Sequence, residues 1–273
     1  EYPPMPELPE VASRARQMNT ELRGKLISGV EVVQPKCLNL SVEEFQSALC
    51  GSSIQEVTYH GKWLFVHLNQ GWLLLNLGMG GEILLVTRSS LPEKYRLILD
   101  FSDGSCLAIN FWWFGFAHFV AENNLEHHKM TRKLGPNALD LNTNDLKRLF
   151  QERTGHLKSF LLDQSRIAGI GNAYIHDILF LAQLHPLRSI KSLTDSEIER
   201  LSNAIQTCLR ASLEKNGAFY EVDLHGWSGS FTMEDILIGY KEGQPCPVCR
   251  TTIQKIKTGS TSSFICPVCQ PLL

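Results

Sequence analysis

Two Cys-Pro-Val-Cys knuckles, Cys246–Cys249 and Cys266–Cys269, lie near the end of the chain, separated by residues 250–265. This spacing is that of a four-cysteine zinc site. Zinc takes four tetrahedral ligands, and each knuckle offers two thiolates with backbone amides turned toward the sulfurs. So short a segment buries no adequate core, so the metal supplies its folding free energy. With four protein ligands no coordination position stays open, which makes the zinc structural rather than catalytic. A pair of disulfides is the alternative use of the same residues. Between the knuckles, "RTTIQKIKTGSTSSFI" reads as a β-hairpin turning at Thr258-Gly259-Ser260. Arg250, Lys255 and Lys257 make it basic; such charges either solubilise an exposed strand or meet phosphate. The remaining cysteines, Cys37, Cys50, Cys106 and Cys208, read as small buried thiols.

The 273 residues suit one large domain or two ordinary ones, and 43% hydrophobic content is enough for proper cores. A net charge of -2 neither supports nor excludes a nucleic-acid partner, because a basic stripe can hide within a neutral total. No apolar run of about 18 residues predicts a membrane span, and no basic-then-apolar leader reads as a secretion signal. The expectation is a cytoplasmic protein with reduced thiols and no membrane partner.

Along the chain, Val11, Ala15, Met18 and Leu22 mark a first helix over residues 8–22, closed by Gly24. From Leu26 to about Val120 the runs turn β-rich: "LISGVEVVQ", "SIQEVTYHG", "KWLFVHLNQGWLLLNLG", "GEILLVTR", "YRLILDFSDG" and "CLAINFWWF". That density of strands suggests a sandwich or barrel. The period then switches to helical at Leu146, Leu149 and Phe150, again at Leu157, Phe160 and Leu161, and again from Ile175 to Ala182. Thr194 with Glu197 forms a capping box for a fourth helix carrying Ile198, Leu201, Ile205 and Leu209. The expected class is α+β: an N-terminal β-sandwich domain over 1–130, a helical domain over 131–240 and a zinc finger over 241–273.

Two further stretches carry chemistry. "AGIGNAY" (168–174) opens a helix, where glycines and free amides suit a phosphate and Asn172 either donates to it or caps the helix. A tight helix–helix turn uses the same residues, and the dinucleotide reading fails because no strand precedes it. "PELPEV" (6–11) places Glu7 and Glu10 where carboxylates favour a helix N-terminus.

Together these segments resemble the formamidopyrimidine-DNA glycosylase and endonuclease VIII family of base-excision repair enzymes. "PELPEV" resembles its N-terminal motif, "HGKWLF" (60–65) its Gly-Lys strand, and "LGMGG" (77–81) its wedge segment. "LLDQSRIAGIGNAYIHDILF" (161–180) is similar to its helix–two-turn–helix and "GQPCPVC…FICPVCQ" (243–270) to its zinc finger. The order of five motifs is far more specific than any one. The resemblance implies a bifunctional DNA glycosylase and abasic-site lyase, with structural Zn2+, acting as a monomer on damaged double-stranded DNA in the bacterial cytoplasm, on the nucleoid. Pro6 would be the nucleophile, condensing through a free imino nitrogen with a sugar C1′. Glu7 would be the acid/base, and Lys62 would contact phosphate or move a proton. Glu10 would hold the proline end. Met79 would fill the gap left by the extruded base, while Lys158, Asn172 and Lys257 would meet phosphates. Taken alone, Lys62 reads as a solvated strand lysine and Met79 as core.

Three departures stand out. "EYPP" precedes Met5, and an amide-bonded Pro6 has no lone pair to attack with, so the chemistry requires a chain that begins at Pro6 after loss of Met5. "INFWWFG" (109–115) sets Trp112 and Trp113 where the family commonly has two arginines; they stack on bases or pack in the core. Thr261 occupies the place of the zinc-finger arginine, offering phosphate a hydroxyl without charge. Trp227, in "HGWSGSF" (225–231), lies where the family has a lesion-contacting loop. These departures keep a second reading open, a catalytically weak or inactive damaged-DNA-binding paralogue.

Overall fold

The computed structural model describes residues 5–111 and 114–272. The chain forms two compact units, one of residues 1–133 with 215–230, the other of residues 134–214 with 231–273. The first unit opens with α1 (Leu8–Leu22), β1 (Ile27–Val32) and α2 (Val42–Leu49). Seven strands follow: β2 (Ile54–His60), β3 (Trp63–Leu68), β4 (Gly71–Asn76), β5 (Glu82–Thr87), β6 (Leu97–Phe101), β7 (Ser105–Asn110) and β8 (Phe116–Ala121). They make two antiparallel four-stranded sheets, ordered β1-β6-β7-β5 and β2-β3-β4-β8. Alternation sends Leu64, Val66 and Leu68 of one sheet and Leu97, Leu99, Leu107 and Ile109 of the other into a single core. The apolar stripe of α1, Val11, Ala15, Met18 and Leu22, joins the same core. α2 is a helix that strand-like neighbours conceal; its signal is the capping box of Ser41 and Glu44 with Phe45 and Leu49 buried.

Residues 215–230, which the sequence groups with the helical region, belong to the first unit. They strap across α1 and the edge of β5. Leu85 N donates to Leu224 O at 2.7 Å, Leu224 N to Gln17 Oε1 at 2.9 Å, and Gln17 Nε2 to Asp223 Oδ2 at 3.2 Å.

The second unit holds α3 (Thr143–Phe150), α4 (Leu157–Leu162), α5 (Ile175–Leu181), α6 (Asp195–Glu214) and the hairpin β9 (Gln254–Thr258) and β10 (Thr261–Ile265). α6 starts where its capping box predicts, with Thr194 N donating to Glu197 Oε2 at 2.7 Å and Glu197 N to Thr194 Oγ1 at 3.3 Å. Asp177, 4% exposed on α5, accepts the backbone N–H groups of Leu237, Ile238 and Gly239 at 2.7–2.9 Å. That carboxylate thereby anchors the segment leading into the zinc finger. No helix among the described residues is long and apolar enough to cross a membrane.

Candidate active site and nucleic-acid interface

The N-terminal motif folds into the first unit as a buried corner. Pro9 lies in the first turn of α1, where its missing N–H costs nothing. Glu7 is 3% exposed and Glu10 7%. Glu10 bridges two backbone amides: Oε2 accepts from Glu7 N at 3.0 Å, and Oε1 accepts from Ala218 N at 3.1 Å in the 215–230 strap. Gly217 suits that approach, because its φ of +90° disfavours a side chain and a Cβ would crowd Glu10 Cγ at 3.0 Å.

Pro6, Glu10, Arg14, Lys62 and Glu221 line one small, partly open pocket, walled by Val11, Leu64, Leu75 and Leu77. Lys62 is half-buried in the β2–β3 turn, and its carbonyl accepts from Asn76 Nδ2 at 3.0 Å. Asn76 Oδ1 in turn accepts from Gly78 N at 3.1 Å, bracing the loop that carries half-buried Met79. Gly81 is obligatory there, since a Cβ would fall 2.1 Å from Leu77 O. Pro6 and Glu10 of the N-terminal motif thus share one pocket with Lys62, more than fifty residues further along the chain. Met79 sits in the adjoining loop, and Trp112 and Trp113 lie outside the described residues.

Two members of this pocket escape the sequence reading. Arg14 lies on the buried stripe of α1, 9% exposed, with Nη1 donating to Ile83 O at 2.9 Å. Burial pulls its guanidinium down to about 10, against the charges of Glu221, Asp223 and Glu82. A charged residue between Val11 and Ala15 on an otherwise apolar face was the available signal. Glu221 is half-buried. Burial pushes its carboxyl up to about 9, Glu10 and Glu82 add to the rise, and Arg14 works against it.

That shift makes a stability prediction. A folded-state value raised above the unfolded one gives stability that is complete below about pH 4 and declines as pH rises toward 9. Glu221→Gln removes the decline. The ceiling is about 1.4 kcal/mol per pH unit; partial exposure and screening reduce the expected gain to about 1–3 kcal/mol at pH 8, with little change at pH 5. Denaturant unfolding at the two pH values reads it, and an equal effect at both would contradict a neutral Glu221.

In the second unit the four cysteine sulfurs lie within 4.8 Å of one another. Contacts run across the knuckles, Cys246 to Cys269 at 3.8 Å and Cys249 to Cys266 at 3.3 Å, and all four thiols are free. Val248 N points at Cys246 Sγ and Cys269 N at Cys266 Sγ, each at 3.4 Å. Four thiolates converging with amide support fit a closed tetrahedral zinc site. The hairpin turns at Gly259-Ser260 as expected.

The expected phosphate contacts divide. Lys257 is exposed on β9 and Thr261 at the start of β10. Asn172 is half-buried ahead of α5, which begins at Ile175, so it does not cap that helix. Among the described residues its enclosed Oδ1 meets no hydrogen-bond donor, and its carbonyl accepts from Tyr240 OH at 3.3 Å. Lys158, by contrast, is 2% exposed and bonds to the hairpin, Thr261 included. Trp227 is 74% exposed on a turn whose Asp223 Oδ1 accepts from Trp227 N at 2.9 Å.

Residues 5–110 match the formamidopyrimidine-DNA glycosylase N-terminal domain, residues 134–222 its H2TH domain, and residues 243–272 the zinc finger found in FPG and IleRS. The chain is 34% identical to the formamidopyrimidine-DNA glycosylase of Legionella pneumophila, covering 98% of this chain and 100% of that one. It is 32% identical to that of Chloroflexus aurantiacus, covering 97% and 98%. The fold is similar to Lactococcus lactis Fpg in complex with an abasic-site DNA, with TM-score 0.89, 26% identity and coverage of 97% and 99%. It is equally similar to wild-type Lactococcus lactis Fpg bound to an N7-benzyl-Fapy-dG DNA, with TM-score 0.89, 27% identity and coverage of 97% and 100%. With its N-terminal motif, helix–two-turn–helix and zinc finger all matched in order, the chain belongs to the formamidopyrimidine-DNA glycosylase family.

Proposed function

We infer that this protein is a base-excision DNA glycosylase with abasic-site lyase activity, acting on damaged duplex DNA. The observation that carries the reading is the pocket shared by Pro6, Glu10 and Lys62, in a chain with this family's full set of domains. The lone pair of a free Pro6 imino nitrogen adds to C1′ as the damaged base departs with its bonding electrons and the proton that the proline nitrogen gives up; C1′ is left as an aminal, which becomes the iminium when the bond to the ring oxygen breaks. Glu7 delivers the proton that opens the deoxyribose ring. Loss of a C2′ proton then expels the 3′ phosphate by elimination, with Lys62 contacting that phosphate or moving the proton. Met79 fills the vacated stack, Trp112 and Trp113 stack against the duplex, and Asn172, Lys257 and Thr261 meet its phosphates. We also infer a monomer working on the nucleoid of a bacterial cytoplasm.

The test is covalent capture. Protein expressed from Met5, its N-terminus verified by mass, is mixed with an abasic duplex and borohydride. The expected result is a trapped adduct, absent in Pro6→Gly and in a chain retaining residues 1–5. Tight binding of the duplex without an adduct would instead establish the damage-binding paralogue, a reading favoured by the residues at 112, 113 and 261.

A further inference from the structure

Lys158 is the second residue of α4, and its Nζ donates to Thr258 Oγ1 at 3.2 Å, Thr261 Oγ1 at 3.0 Å and Ser262 O at 2.6 Å. An ammonium has three N–H donors, and all three are spent on the tip of the β9–β10 hairpin. The acceptors are neutral oxygens. The side chain is 2% exposed, and burial lowers its ionisation to about 8. To reach a phosphate, the lysine would have to break all three bonds, two of them to partly buried oxygens of Thr261 and Ser262 and one to Thr258, itself 7% exposed.

The root of the hairpin is held separately. Phe264 N donates to His176 Nδ1 at 3.4 Å, Gln270 Nε2 donates to Leu184 O at 2.9 Å, and Phe264 packs with Phe180, Ile238 and Ile253. The tip has no such core, and an isolated two-stranded hairpin is marginal in water. Thr261 adds a directional consequence. Its Oγ1 accepts from the ammonium, so its own O–H is turned away from Lys158, and Thr261 is exposed. A hydroxyl that accepts a charged donor is a stronger donor itself.

We propose that Lys158 is a positioning residue: it fastens the tip of the zinc hairpin to α4 and aims the Thr261 hydroxyl outward, and it does not itself touch DNA. The outward role rests on the DNA-binding reading above; the fastening does not.

The zinc-loaded full chain and Lys158→Met are compared in two ways. Binding to a duplex carrying a tetrahydrofuran abasic analogue is followed across salt concentrations, and amide exchange is followed over residues 257–262. The variant is expected to bind about tenfold more weakly with an unchanged salt slope, because no phosphate contact is lost. Exchange at the tip is expected to accelerate about tenfold or more. Thr258→Val with Thr261→Val keeps the lysine, removes two acceptors and should loosen the tip likewise. A salt slope that falls by about one in Lys158→Met marks a direct phosphate contact and overturns the proposal, as does unchanged exchange at the tip. If the unmodified protein ignores the duplex, the DNA-binding reading fails, while the exchange measurements still decide the fastening.

Discussion

Stripping the zinc with a strong chelator is expected to unfold residues 245–270 and abolish tight duplex binding. The buried apolar residues that hold this finger are few: Ile253, Phe264 and Ile265 from the finger itself, with Phe180 and Ile238 packed on the first two. Burying them contributes only about 1.5–3 kcal/mol each, against about 1–2 kcal/mol of backbone entropy for every residue ordered. A structural four-thiolate zinc contributes about 10–16 kcal/mol and decides the balance. Cys249→Ser, which removes one ligand, should reproduce the effect. Proteolysis of the metal-free protein should cut first within this segment, and affinity for an abasic-analogue duplex should drop by about a hundredfold or more. A chelated protein that resists cleavage there and binds within threefold of the loaded form would show that the cysteines do no such work.

The second large effect is expected at Glu7. Its side chain is 3% exposed and adjacent to Pro6 at the head of α1. Glu7→Gln keeps the volume and the acceptor oxygen but cannot transfer a proton. Proton transfer by a positioned side chain accounts for about 10²–10⁴ in rate, so single-turnover cleavage of a damaged duplex should fall by that factor. Binding of the unreactive abasic analogue should stay within about threefold, and the melting temperature should hardly move. A rate within tenfold of the parent would remove Glu7 from the proton relay and leave it a purely structural neighbour of the helix.

What the sequence makes legible follows from how local each signal is. The knuckles, the hairpin turn and the Thr194 capping box each announce themselves within a few residues, and each appears in the structure. α2 was equally local, but its short span sits among strand-forming runs whose period dominates. The pocket was legible only through resemblance. Ala218 donates to Glu10 across 208 positions, and no periodicity reports a pairing at that range. Glu221 stayed hidden for the same reason, since it looks like a surface charge until its segment folds back against Arg14 and Glu10; Arg14 had only its place on an apolar helix face to mark it. Lys158 shows a different limit, because its type suits phosphate while its burial commits it to the hairpin.

The first unit returns for residues 215–230 after the chain has already built α3 to α6 in the second. The polypeptide therefore crosses from one body to the other three times, after residues 133, 214 and 230. A fragment ending at residue 133 would expose the Leu224 site in its core and leave Glu10 without its Ala218 partner. Simple truncation thus yields no autonomous half, and a single protease nick at any crossing leaves the pieces tethered by the other two. Shuffling this protein as interchangeable modules would require grafting the return segment together with the sheets.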